Sequence, residues 1–160
     1  MFKNIAIICP SSLTKEKEIK SLCDDYIKRI NSDVTIIEAK TKISQNDNDD
    51  LVKKKQGNAI NQHLDKVPTN TAIIIMDERG RDLTSPQLAQ NITKLQLDGY
   101  SSACFVIGGA FGLSSDILNR AHFKISFGNM VWPHRLVGLM LFEQLYRAQQ
   151  INAGHPYHKA

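Results

Sequence analysis

Residues 71–76 read TAIIIM, an unbroken apolar run rich in β-branched side chains. Such a run suits a strand covered on both faces, the strand type of parallel sheets packed between helices. Four further runs share this character: FKNIAIIC at 2–9, VTIIEA at 34–39, ACFVIGG at 103–109 and HFKISF at 122–127. The segments between them carry helical spacing. In residues 14–30, Ile19, Leu22, Cys23, Tyr26, Ile27 and Ile30 recur on one helical face. After a polar, acidic loop at 45–50, LVKKKQGNAINQHL (51–64) predicts a weaker helix with Gly57 inside it. RGRDLTSPQLAQNITKLQLDG (79–99) carries the clearest boundaries: Thr84 or Ser85 as cap, Pro86 in the first turn and Gly99 past the end. SSDILNRA (114–121) predicts a short helix capped by Ser114 or Ser115, and a long helix is expected from about 134 to 152.

Strands alternating with helices over 160 residues predict one α/β domain, residues 1–160, with a mainly parallel sheet flanked by helices. Ligands of such sheets bind beyond the carboxyl ends of the strands. Three loops leave strand ends in the second half, after Met76, after Ile107 and after Phe127, and form the expected site.

The apolar run at 2–9 lacks the basic flank and cleavage motif of a secretory signal. The longest run in the C-terminal half, 136–142, is seven residues and contains Gly138, whereas a membrane span needs about 20. A cytoplasmic protein with no membrane partner is expected. Cys9, Cys23 and Cys104 are odd in number, far apart and form no CxxC, which predicts buried, reduced thiols. The net charge of +4 is unevenly placed. Residues 1–116 hold 15 Lys+Arg and 15 Asp+Glu, so Arg120, Lys124, Arg135, Arg147 and Lys159, against Glu143 alone, carry the whole excess. His122, His134, His155 and His158 lie in the same third. A basic C-terminal third on a neutral body points to an anionic partner.

Four stretches bear on chemistry. IGGAFGLSS (107–115) leaves a strand and enters a helix, but a dinucleotide fingerprint would need glycine where Ile107 stands. The acidic residue expected about 20 positions on is also missing, since no carboxylate occurs from 117 to 142. NAD is therefore not expected, while Gly108 and Gly109 still permit close backbone approach by a ligand, or a plain structural turn. GNMVWP (128–133), with the chain's single tryptophan, suits either the cradle of a flat ring or packing into the core. PHRLVGLMLFEQLYRAQQI (133–151) is too apolar for one face of a surface helix. It either faces both the sheet and a second subunit or is wholly buried within the monomer. In the tail GHPYHKA (154–160), Pro156 interrupts any helix and no Cys or carboxylate joins His155 and His158, so no metal is expected.

IGGAFGL, WPHRLVGLMLFEQLYRA and GHPYHK, with TSPQLA upstream, together resemble the ribosomal large-subunit pseudouridine N3-methyltransferase family, small single-domain members of the SPOUT class. The resemblance spans essentially the full length. It implies a SPOUT-type fold with a C-terminal trefoil knot, a homodimer, and S-adenosylmethionine as methyl donor without a metal. The implied substrate is a pseudouridine of large-subunit rRNA, methylated at N3 in the assembled ribosome. The family's donor-binding residues fall on Met76, Gly109 and the loop Gly128, Asn129, Met130, Val131, Trp132 and Pro133, with Gly108 beside them. One position departs: the family pattern has an arginine where this chain has Gly138, and Arg135, about one helical turn earlier, is expected to supply the charge.

Methyl transfer of this kind requires a proton to leave a ring nitrogen. His158 and His155 are the expected bases, Tyr157 an expected stacking or donor group, and Arg147 and Lys159 expected partners for phosphate or developing charge. The tail is expected over the donor pocket of the partner subunit. Two other readings explain part of the sequence: a flavin- or nucleotide-binding α/β protein, and a ribosome-associated dimer without activity. Donor binding separates both from a methyltransferase.

Overall fold

A computed structural model describes residues 1–157. Five strands form one sheet in the order β2-β1-β4-β3-β5. They are β1 Asn4–Cys9, β2 Asp33–Glu38, β3 Thr71–Asp82, β4 Ser102–Ile107 and β5 Phe123–Ser126. Every pairing is parallel, as the continuous apolar runs require. The connecting helices are α1 Lys17–Arg29, α2 Asp49–Leu64, α3 Ser85–Leu97 and α4 Ser115–Leu118, and α5 His134–Asn152 closes the fold. Among the described residues no helix is long and apolar enough to cross a membrane.

Side-chain alternation along each strand builds two cores. Ile5, Ile7 and Cys9 of β1, Ile74 and Met76 of β3, and Ala103, Phe105 and Ile107 of β4 face α1, α3 and α5, where they meet Cys23, Leu88, Phe142 and Leu145. Ile8, Ile73, Ile75, Cys104 and Val106 face the other way, onto Ile60 and Leu64 of α2 and Ile117 of α4. All three cysteines are buried and unpaired. Burial pushes the Cys9 thiol up to about 11 and that of Cys104 up to about 12, so neither supplies a thiolate near neutrality.

Most boundaries follow the local signals. Thr84, not Ser85, caps α3, with a reciprocal capping box to Gln87. Gly99 follows the helix at φ +95°. α2 starts earlier than its apolar pattern predicts, because Asn48 accepts from the Leu51 N–H and draws Asp49 and Asp50 into the first turn.

β3 departs most from expectation. The sequence after Met76 is polar and reads as a loop, yet the strand continues to Asp82. Met76 and Arg81 are both register partners of Ile125, with the shift in register between them. The backbone of residue 80 therefore lies directly on β5. A Cβ at Gly80 would stand 2.6 Å from the Ile125 carbonyl carbon and 2.8 Å from its nitrogen. Those are backbone atoms, which a rotamer change cannot move aside. Gly80→Ala should lower stability by about 1–3 kcal/mol through forced backbone displacement. Chemical denaturation checks this; an unchanged midpoint would show that β3 and β5 do not meet so closely.

Candidate active site

Strands β4, β3 and β5 are neighbours, so the loops leaving the carboxyl ends of β4 and β5 converge on the polar continuation of β3. They enclose a cleft of about 780 Å³, within the ordinary size of a small-molecule site. Met76, Gly108, Gly109, Gly128, Met130, Val131, Trp132 and Pro133 all line it. Asn129 is exposed and does not.

Each loop is shaped by a local device. Gly109 and Gly112 form an antiparallel bridge, with the Gly112 N–H donating to the Gly109 carbonyl at 3.0 Å and Gly112 at φ +73°. This hairpin is pressed against α2: a Cβ at Gly109 would lie 2.7 Å from Gln56 Oε1. The β5–α5 loop turns at Gly128, φ +95°, where Ser126 Oγ donates to the Gly128 carbonyl at 2.8 Å. Trp132 Nε1 donates back to the Phe127 carbonyl at 3.3 Å, leaving its ring against the cleft. Met130 and Val131 are 69% and 81% exposed, so this loop presents apolar groups outward and does not pack into the core.

The third loop is the polar extension of β3. Asp77 Oδ1 accepts from the Arg79 backbone N–H at 2.9 Å and from Arg79 Nε at 3.0 Å, and Oδ2 accepts from Nη2 at 3.0 Å. The Arg79 hydrogen bonds hold the Asp77 carboxyl below its ordinary range, against a smaller opposing effect of burial. The clasp therefore adds stability that is complete above the unfolded-state value of about 3.9 and is lost as pH falls through the folded-state value. Lys53 of α2, Glu78 and His134 also line the cleft. Asp77, Glu78 and Arg79 directly follow Met76, where the apolar run ends, and could have been nominated on that ground. Lys53 lies far away in sequence and carries no local signal.

The tail residues gather elsewhere. Arg147 pairs with Glu143 through bonds of 2.6 and 2.9 Å. Its guanidinium lies 4.9 Å from the centre of the Tyr157 ring, which meets Tyr146 edge-on at 4.8 Å. The Tyr157 hydroxyl donates to Glu143 Oε1 at 3.4 Å. Burial first, then the Glu143 charge, raises the Tyr157 phenol above its ordinary value. It is thus kept protonated, suited to donate or stack. His155 is exposed, its Nδ1 accepting from the Tyr157 N–H at 3.2 Å. His158 and Lys159 lie outside the described residues. Within one chain, none of Arg147, His155 and Tyr157 lines the cleft.

Two further expectations meet the structure differently. A Cβ at Gly138 would stand 3.2 Å from Leu13 Cδ1, so the place of a larger side chain is filled by leucine. Arg135 does not supply a free charge in its stead, because its guanidinium is paired with Glu16. Among the described residues there is no group of three or more His, Cys, Asp or Glu able to hold a metal.

A family model described as a predicted SPOUT methyltransferase matches residues 3–158. The chain belongs to the SPOUT methyltransferase family. It is 43% identical over 162 residues to the ribosomal RNA large subunit methyltransferase H of Clostridium novyi, covering 98% of this chain and 99% of that protein. The protein of the same name from Oenococcus oeni is 40% identical over 163 residues, with the same coverage. Among solved structures, a probable methylase family protein from Haemophilus influenzae superposes with a TM-score of 0.56 at 14% identity, covering 100% of this chain and 72% of that one. The ribosomal RNA small subunit methyltransferase E of Neisseria gonorrhoeae, bound to S-adenosyl methionine, gives 0.52 at 12% identity, covering 93% and 66%. At such identities the structural likeness is one of fold. The expected family and the parallel α/β architecture are both borne out.

Arg79→Gln removes the clasp without adding bulk. The Asp77 carboxyl should then titrate closer to its ordinary range, and acid unfolding should begin at higher pH. Carboxyl NMR titration and a pH-dependent melt measure both; an unmoved Asp77 resonance would refute the clasp.

Proposed function

We propose that this SPOUT methyltransferase uses S-adenosylmethionine to methylate N3 of a pseudouridine in large-subunit rRNA within the assembled ribosome. The observation that carries the reading is the convergence of three strand-end loops on one cleft in a chain that matches its methyltransferase relatives from end to end.

The cleft suits such a donor. Gly108 and Gly109 keep their edge of it free of side chains, and Met130, Val131, Trp132 and Pro133 offer apolar surface for a purine ring. When bound, the donor supplies an electrophilic methyl group. The protein must hold the target nitrogen in line with that methyl, at about 3–3.5 Å, and either accept the proton that leaves or stabilise the ring anion it leaves behind. Imidazole is the commonest general base in catalysis, and in this reading His155 or His158 takes the proton. Tyr157, kept protonated by its surroundings, positions the base by stacking or donation. Arg147, already balanced by Glu143, orients Tyr157 and faces RNA phosphate.

We infer a homodimer in which each tail completes the partner's cleft. Arg147, His155 and Tyr157 sit away from the cleft of their own chain, while Leu136, Met130 and Val131 remain exposed beside it. The same reading gives the C-terminal part of the sheet a trefoil knot. It also places the protein in the cytoplasm, with ribosomes.

Incubation with methyl-labelled donor and unmodified ribosomes, followed by mapping, should put the label on one large-subunit pseudouridine. Labelling of naked rRNA just as efficiently would remove the ribosome from the reading. In single-turnover assays His158→Ala should slow transfer roughly 100-fold or more with donor affinity unchanged. A near-normal rate would leave His155 as the base.

A further inference from the structure

Two side chains of permanent positive charge line the cleft, Arg79 and Lys53. Arg79 is engaged by both carboxylate oxygens of Asp77. Lys53 is half-buried on α2 and makes no ion pair among the described residues. The cations that act on the Asp77 carboxylate are Arg79 and Lys124, not Lys53. The ammonium of Lys53 thus faces the cleft without a counter-ion.

The turn of α2 that follows braces the glycine hairpin. Gln56 is 93% buried by its 7% exposure, and its Oε1 has no hydrogen-bond partner. That oxygen stands against Gly109, at the base of the glycine hairpin. Gly57 seats the same turn of α2 on Ser114, where a Cβ would come within 2.7 Å of the serine Oγ. α2 is therefore held tightly on the hairpin, and Lys53, one turn earlier, is carried to the cleft on a fixed support. Met130, Val131 and Trp132 give the same cleft an apolar wall. A cleft that offers both an apolar wall and a lysine free of any ion pair among the described residues fits a molecule that carries a flat ring and an anion.

We propose that Lys53 is the residue that binds the α-carboxylate of the donor's amino-acid end, with Gln56 positioning the glycine hairpin beside it. The assignment rests on the donor-site reading above. A donor carboxylate is favoured over an RNA phosphate because Lys53 and the hairpin it accompanies line the same cleft as the apolar loop. Lys53→Met keeps the aliphatic stem and removes the charge; Lys53→Arg keeps the charge.

Donor affinity is measured by calorimetry for the full-length protein with S-adenosylmethionine and with its decarboxylated analogue. The wild type should prefer the carboxylated donor roughly 10- to 100-fold, the range of a charge-assisted hydrogen bond. Lys53→Met should lose that preference while binding the analogue as the wild type does, and Lys53→Arg should retain most of it. Equal weakening toward both compounds, or no weakening, would overturn the assignment. So would intact donor binding with a raised KM for ribosomes and a shallower salt dependence, which would make the anion a phosphate. Failure of the wild type itself to bind either compound would instead remove the donor site, and with it the proposed function.

Discussion

The approach of Gly80 to the backbone of Ile125 is the constraint on which the site depends. β5 has only four residues, too few to be held firmly by a single edge pairing. It gains a second set of register partners because β3 runs on past Met76 and meets it again at Arg81 and Asp82. This requires two backbones to lie where no side chain fits, and only glycine satisfies that. The consequence is local and functional. β5 is fixed at the sheet edge, its exit loop opens beside the ends of β3 and β4, and the charged residues 77–79 are delivered to the rim of the cleft.

A second dependence runs through α2. The hairpin after β4 has glycine at 108, 109 and 112 and so few side chains with which to anchor itself, and its position is set largely by what it leans on. Gln56 and Gly57 provide that support from one side and the Gly109–Gly112 bridge closes it from within. A helix with the weakest amphipathic pattern in the chain thus determines the shape of the loop with the least side-chain content. Through Lys53 it also adds a charged side chain to the cleft, beside Asp77, Glu78 and Arg79 of β3.

α5 divides its length between two tasks. Its first residues, His134 and Val137, belong to the cleft, and its middle packs Leu141, Phe142 and Leu145 into the core. Its last turns carry Tyr146 and Arg147, on which Tyr157 rests. Tyr157 is thereby held by Glu143, an aromatic contact and a cation–π contact. Leu13 fills the space beside Gly138, and Glu16 takes up Arg135. Both come from the β1–α1 connection, which therefore packs against the start of α5.

The strands, the parallel class and the helix caps were legible because they rest on short-range physics. Apolar runs such as TAIIIM must be covered on both faces, and TSPQ caps a helix wherever it lies. The strand-end loops were legible for the same reason, and the residues to which the family resemblance pointed, Asn129 apart, do line the cleft. The continuation of β3 through DERGRD was not, since a polar segment becomes a strand only when another backbone lies beside it. Lys53 was invisible as a cleft residue because its partners are loops more than 20 residues distant. The separation of Arg147, His155 and Tyr157 from their own chain's cleft likewise needed the three-dimensional path of α5. Sequence alone determined which segments would be covered and where each would turn, because burial and backbone torsion are local properties. Tertiary structure alone decided which ends would share a cleft, because a site is made by segments that meet only after the sheet has ordered its strands.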